Sequence, residues 1–555
     1  MAQKRQQTLK MNGTLLNPQG VIMSAARKVN EQAQGSMTRR ELLKAAAVTG
    51  LGVGLGGSSF LAAGCGSGTS SSPAPTGSAS AKRGGTLQLA TDQLFPKDRL
   101  DPFKCVTDGN ILVTGSVRDN LITYDPDFNF EPRLAETWES NSDYTEWIFH
   151  LRPDVVFHNG KPFTAEDPAA MLTRTLDAEA GSPLYGRLSG SLDVGGIEIV
   201  DDLTLKLNLK KADSLLLFPL ALYSAGITPA DDKNLDDGIG TGPFKLTSWK
   251  PGSNYRLDRN ESYWDPERPF LDGVRGLQIA EASTKLQSVA SGDSTLTDVD
   301  LASLPVVEQN PDLQSTVAYA VQMLNVVMDM TVKPFTDNRV REALKRSLDR
   351  QKLISIAYAD QADISPDAPC PSTDPYFNSA LEARTKVDIA AAEELMAAAG
   401  YPDGIDLTLK TWSDPLASTY ALGIADAVKG SPFRIEIEQS PGATYWEQVW
   451  LKGDFYVSDW YRRHPVEAMN VMVQSDAAWN ETKWQSEEMD RLLLECTSTS
   501  GDEQTAVIQE ALMLMSQECG MLVPAYRNRV WVSKLGATVV PWPSPILNLR
   551  EMSVG

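Results

Sequence analysis

The residues able to do chemistry are few and scattered. Three histidines, His150, His158 and His464, stand in no metal-ligand spacing, and the five cysteines form no Cys-x-x-Cys pair. The chain contains no Gly-x-Ser-x-Gly elbow and no Walker loop. It does not read as an enzyme, and no metal or cofactor is expected. Acidic residues outnumber basic ones 72 to 51, giving a formal charge of −21, and such a surface repels phosphate backbones, so nucleic acid is not an expected partner. The richest stretch runs from Thr444-Tyr445-Trp446 to Trp450 and then from Asp454 to His464, where Asp459, Trp460, Tyr461, Arg462 and Arg463 follow one another. A guanidinium there can hold a carboxylate or phosphate in a fork. Equally, Arg462 and Arg463 could pair with carboxylates of this acidic chain. An exported hydrolase would have to recruit His464, the one histidine beside that stretch.

The elements that must position these residues are mixed. A chain of 555 residues with 42% apolar content has length for two or three domains with large cores. Thr86 to Ala90 alternates with period two and ends at Thr91-Asp92, as a strand running into a loop does. Glu146 to Arg152 and Asp202 to Lys210 alternate likewise. Val340 to Leu348 has helical spacing with Asp337 as cap, and Asp388 to Ala399 is an Ala-rich helix stopped by Gly400. Glu487 to Cys496 and Gln504 to Cys519 read as two helices joined by a polar turn, with their cysteines at opposite ends of the pair, beyond disulfide reach. The short element Asp406 to Lys410 leads to Trp412, a candidate cleft aromatic or core residue. The fold class is α/β.

The first 64 residues read as an address. Arg39-Arg40 precedes a weakly hydrophobic run from Ala45 to Gly64, the pattern of a twin-arginine export signal. Leu61-Ala62-Ala63-Gly64-Cys65 is similar to a bacterial lipobox, in which Cys65 would carry the acyl chains that hold a protein at a membrane. Residues 65–83, rich in Ser, Gly, Ala and Pro, then form a tether that cannot bury surface.

Three segments carry a family resemblance: Leu134-Ala-Glu-Thr-Trp through His158-Asn-Gly-Lys-Pro-Phe-Thr-Ala-Glu-Asp167; Gly240-Thr-Gly-Pro-Phe-Lys-Leu-Thr-Ser-Trp249 with Tyr263-Trp264; and Pro334-Phe-Thr-Asp-Asn-Arg-Val-Arg-Glu-Ala-Leu344. In this order they resemble the extracellular solute-binding proteins of peptide/nickel-type ABC importers, family 5. The bland account of each stands beside the likeness: Asn159-Gly160 is a hairpin turn, Asp167 caps a helix with Pro168 at its first position, Gly240 and Gly242 permit a tight turn, and Trp249 and Trp264 are core aromatics.

The resemblance implies a periplasmic-binding-protein-like two-lobe fold of type II with an extra small domain. Residues 84–115, 195–318 and 525–555 would form lobe I, 116–194 the extra domain and 319–524 lobe II. It implies a monomer that delivers ligand to separate permease and ATPase subunits, lipid-anchored on the outer face of the cytoplasmic membrane. Thr91 and Asp92 face the cleft in relatives, Asp329 stands where many carry Asn, and Tyr445 belongs to the stretch leading to the ligand loop that starts at Trp460. Peptide-binding members place an acid for the ligand's ammonium where this chain has Arg463. Either the amine anchor lies at Asp459, Glu467 or Asp92, or the ligand is not a free-amine peptide. Peptides lead as substrates. A non-peptide solute (an anionic metabolite, metal chelate or oligosaccharide) is the alternative within the binding class, and an exported hydrolase or adhesion lipoprotein outside it.

Overall fold

The computed structural model describes residues 82–555 except 106, 126, 127, 300, 478 and 542–546. The readings at Arg39, Arg40 and Cys65 lie outside the described residues.

One large mixed sheet organises the chain. Its main path runs through the strands Phe433–Ser440, Ile405–Trp412, Phe455–Tyr461, Leu313–Met328, Ala525–Lys534, Leu296–Val299, Thr86–Thr91, Gly273–Gln278, Asn254–Arg259 and Phe244–Lys250. Parallel pairs occur on both flanks, Ile405–Trp412 with Phe433–Ser440 and Thr86–Thr91 with Gly273–Gln278. The two central strands, Leu313–Met328 and Ala525–Lys534, are antiparallel and reach into both halves of the sheet. Their register slips between Ala318 and Gln322. Ala320 takes φ +50° there, and its N–H, having lost its ladder partner, donates to Asn528 Oδ1 at 2.9 Å.

The period-two segments are strands. Glu146–Leu151 buries Trp147 and Phe149 on one face, and Thr204–Asn208 buries Leu205 and Leu207. With Ala135–Ser140 and Ile197–Asp201 they make a separate four-stranded antiparallel sheet. Full burial of each such side chain is worth about 1.5–3 kcal/mol, which is why the alternation showed so clearly. A domain boundary at 194 would divide this sheet, because two of its strands lie beyond that residue.

The expected helices form with their caps. Asp337 accepts from Arg339 N–H ahead of Asn338–Ser347, and Asp388 accepts from Ala391 N–H ahead of Ile389–Ala398. Gly400 follows in the left-handed region, φ +93°. The helix over Asp167 differs from expectation. It spans Glu166–Thr175, so Asp167 and Pro168 sit inside its first turn, and the Asp167 carboxylate accepts Thr164 N–H and Ala230 N–H instead of acting as the cap residue. A carboxylate in the first turn still suits the positive helix end.

Gly240 and Gly242 are needed for a reason other than a turn. Neither has positive φ; a Cβ on Gly240 would sit 2.1 Å from the Val117 carbonyl oxygen, and one on Gly242 would sit 2.5 Å from the Val117 carbonyl carbon. The segment is laid flat against the end of the helix Asp108–Val117, and His158 fastens it by donating its backbone N–H to Gly240 O and by a ring contact to Gly242 O at 3.1 Å. Gly240→Ala should therefore cost about 2 kcal/mol, as overpacking does, read as a lower urea midpoint with an unchanged slope.

Candidate functional site

The candidate site lies where the central strands meet the ends of their neighbours. Strand Phe455–Tyr461 pairs with Leu313–Met328 and carries the Asp459 to Tyr461 run to the register slip. Just beyond it, Arg462 N–H donates to Val321 O at 2.9 Å. From the other half of the sheet comes the helix Asp108–Val117, whose first residue accepts from Tyr461 Oη at 3.4 Å.

Asp108 ends a chain of charges that links the two halves. Arg529, on a central strand, donates to Asp108 at 2.7 Å and to Asp298 at 2.9 Å. Lys285 then joins Asp298 at 2.9 Å to Asp92 at 3.1 Å. Burial works to raise the Asp298 carboxyl, but Arg529 and Lys285 outweigh it and hold the group far below the usual carboxylate range. Asp92, expected at the cleft, is thus committed to Lys285 and to Gln93. Thr91 is buried at 8% exposure, with its hydroxyl accepting Gln93 N–H. A second relay runs through Gln322, which donates to Asp459 Oδ2 at 2.9 Å and accepts from Arg527 Nε at 2.7 Å.

The two arginines after Tyr461 differ. Arg462 pairs with the buried Asp374 at 3.2 Å and lies over the Phe128 ring at 5.1 Å. Burial pushes the Asp374 carboxyl up, and Arg462 opposes it in part. Arg463 makes no hydrogen bond or ion pair among the described residues, and its Nε is buried without a partner. Its charge is felt by the phenols of Tyr124 and Tyr223, which belong to the other side of the junction.

Other candidates stand deeper. Trp460 is 1% exposed, with its indole N–H on Glu481 at 3.2 Å; Ser458 and Trp450 also donate to that carboxylate. No cation pairs with Glu481 among the described residues, and burial raises its pKa. Trp412 and Tyr445 join Trp446 in a buried aromatic cluster with centroids 5.0–5.3 Å apart, and Tyr445 Oη donates to Val457 O. Asp329 lies at the far end of its strand, bound by Lys483 and Thr331; burial would raise its carboxyl, but those partners hold it below the ordinary value. The structure therefore brings Asp459, Trp460, Tyr461, Arg462 and Arg463 to the junction and places Trp412, Tyr445 and Asp329 away in the packing of one half.

His464 packs against Phe218 at 4.3 Å and Phe128 at 5.4 Å. Its Nδ1 accepts Val466 N–H, so Nε2 carries the proton and faces Tyr376 Oη at 2.9 Å. Both nitrogens are spent, and burial lowers its pKa to about 3. Neither nitrogen is left to serve as a base.

The sequence model of the family described as bacterial extracellular solute-binding proteins, family 5 Middle, matches residues 129–481. The chain belongs to this family. Among curated relatives, the glutathione-binding protein GsiB of Pectobacterium atrosepticum is 26% identical over 327 residues, which is 58% of this chain and 62% of the relative. The match thus spans less than two thirds of that relative's length. Among solved structures, DppA of Helicobacter pylori in complex with the peptide STSA superposes with TM-score 0.72 at 22% identity, over 85% of this chain and 98% of that one. AgaA of A. tumefaciens R10 in complex with agropinic acid gives 0.71 at 21%, over 85% and 99%. The fold is the type II periplasmic-binding-protein-like fold, mixed α/β around a large mixed sheet.

Asp108, Lys285, Asp298, Arg527 and Arg529 did not stand out in the sequence. Their only linear signal is the alternation Arg527-Asn528-Arg529, which puts both guanidiniums on one face of a strand.

The neutral His464 sets a pH response. Its folded pKa lies below the unfolded value near 6.5, so the unfolded chain binds the extra proton and stability falls as pH drops from about 6.5 toward 3. Between pH 6.5 and 5 the wild type should lose about 2 kcal/mol more than His464→Gln does, measured by urea unfolding of both proteins at each pH.

Proposed function

We propose that this chain is the substrate-binding component of an ABC importer, capturing a peptide or similar small solute between its two lobes and handing it to a permease driven by a separate ATPase. It binds and releases its ligand unchanged. Export by the twin-arginine route and lipid attachment at Cys65 would keep it on the outer face of the cytoplasmic membrane as a monomer. Residues 84–115, 525–555 and the part of 195–318 that follows Thr204–Asn208 act as one lobe and 319–524 as the other, with the four-stranded sheet apart from both.

The observation that carries the ligand reading is Arg463. On a chain of net charge −21, a guanidinium that pairs with no carboxylate among the described residues is suited to take the acid of a ligand. It sits next to the loop at which Tyr461 reaches the opposite half. A ligand with an acidic group completes it, with the acid on Arg463 and ring contacts from Tyr461. A peptide carboxylate meets that need. So does an anionic metabolite, which Arg463 favours as the second reading, since no acid stands in its place for a ligand ammonium.

The test is native mass spectrometry of the purified protein for retained ligand, followed by a thermal-shift screen of short peptides and of small carboxylic acids. Arg463→Ala should keep the unliganded melting temperature, because the side chain has no partner to lose, and weaken the acid-bearing ligand at least tenfold. Unchanged affinity removes Arg463 from the site. Failure of every peptide to raise the melting temperature removes the leading substrate class, and chemical turnover of a bound compound removes the binding-protein reading.

A further inference from the structure

A cavity of about 120 Å³ lies under the helix Asp108–Val117, and its described lining comes from residues 112–133, 221–243 and 547–550. No described residue after 243 and before 547 lines it, so the Trp460–Arg463 loop takes no part. Three guanidiniums line the cavity and one carboxylate, Asp119.

The charges there do not balance. Asp119 is already spent on neutral donors: Thr241 at 3.2 Å, Tyr263 at 3.1 Å and Trp264 at 3.0 Å. Arg550 is paired with Asp265 and Glu551. Among the described residues Arg118, 2% exposed, donates to the carbonyl oxygens of Leu100 and Leu235, at 2.9 and 2.7 Å, and to no carboxylate. Arg133 is 9% exposed and has no side-chain hydrogen bond or ion pair among the described residues. Burial disfavours its charged form and nearby Arg550 disfavours it further; Tyr263, Asp119 and Glu131 offset this only in part, and the pKa stays below its ordinary value. Thr123, 6% exposed, lines the same space with no side-chain hydrogen bond among the described residues. Carboxylates are abundant in this chain, yet none pairs with Arg133. A buried cation with no directly bonded carboxylate is unfavourable, and a cavity beside it gives room for an anion.

We propose that this cavity is an anion site, taking a small oxyanion against Arg133, with Thr123 donating a hydrogen bond and Arg118 adding positive field. A carboxylate and a phosphate share that chemistry. Because the lining avoids the loop that carries Arg463, the site works without the inter-lobe ligand.

Calorimetric titration of the full chain with inorganic phosphate, and separately with acetate, tests this. One or both should bind saturably to Arg463→Ala, in which the inter-lobe acid contact is removed, and at least tenfold more weakly once Arg133→Met is added to it. A response to phosphate alone assigns a phosphate group, and a response to acetate alone a carboxylate. Gly115→Met is the second variant: Gly115 lines the cavity, a Cβ there meets no atom within 4 Å, and the longer side chain should block the anion while leaving Arg133 in place. It decides the matter if Arg133→Met does not fold. Absence of saturable binding to Arg463→Ala, or binding that survives when Arg133→Met is added to it, overturns the proposal.

Discussion

Pairing between Leu313–Met328 and Ala525–Lys534 is the constraint on which the rest depends. The two strands are far apart in sequence, yet each hydrogen-bonds to the other and to a different flank of the sheet. Arg529 and Gln322 stand on these strands, and Asp459 to Tyr461 and Asp298 stand on strands registered against them. The slip at Ala318–Gln322 breaks the ladder where the two halves join, and a side-chain bond from Ala320 to Asn528 replaces the missing backbone partner. A local interruption there leaves the backbone satisfied, and just past it the paired positions Gln322 and Arg527 form a relay in which Arg527 donates to Gln322 and Gln322 donates to Asp459.

The polar groups at this junction are charged, buried and mostly matched. Arg529 holds Asp108 and Asp298, and Lys285 holds Asp298 and Asp92, so two cations bind three carboxylates. Breaking one partner of such a chain is costly because it strands the others in low dielectric. Against that background the uncommitted guanidiniums are informative. Arg462 is matched by Asp374, whereas Arg463 and Arg133 have no directly bonded carboxylate among the described residues.

The elements were legible because their signals are local. Alternation at Glu146–Leu151 follows from one buried face, and the caps Asp337 and Asp388 announce helices within a few residues. The family signatures were legible too, as ordered strings, and residues 129–481 match the family. Gly240 and Gly242 show where local reading stops: they looked like turn glycines, yet what they avoid is the Val117 backbone, far away in sequence. Trp412, at a strand end, and Tyr445, on the helix Gly442–Gln448, show the same limit, since such an aromatic residue serves a cleft or a core according to neighbours that arrive by tertiary packing. The Asp92–Lys285–Asp298–Arg529–Asp108 chain was invisible for that reason.

One apolar cluster has a consequence for motion. Tyr124, Phe128, Leu215 and Phe218 pack into the same core as Trp460, Val466 and Met469, which come from beyond the crossing strand Leu313–Met328. Any excursion that parts these groups must wet several rings at once. Apolar attraction weakens on cooling, so the parted conformers become easier to reach in the cold, and warmth tightens the clasp until general unfolding sets in.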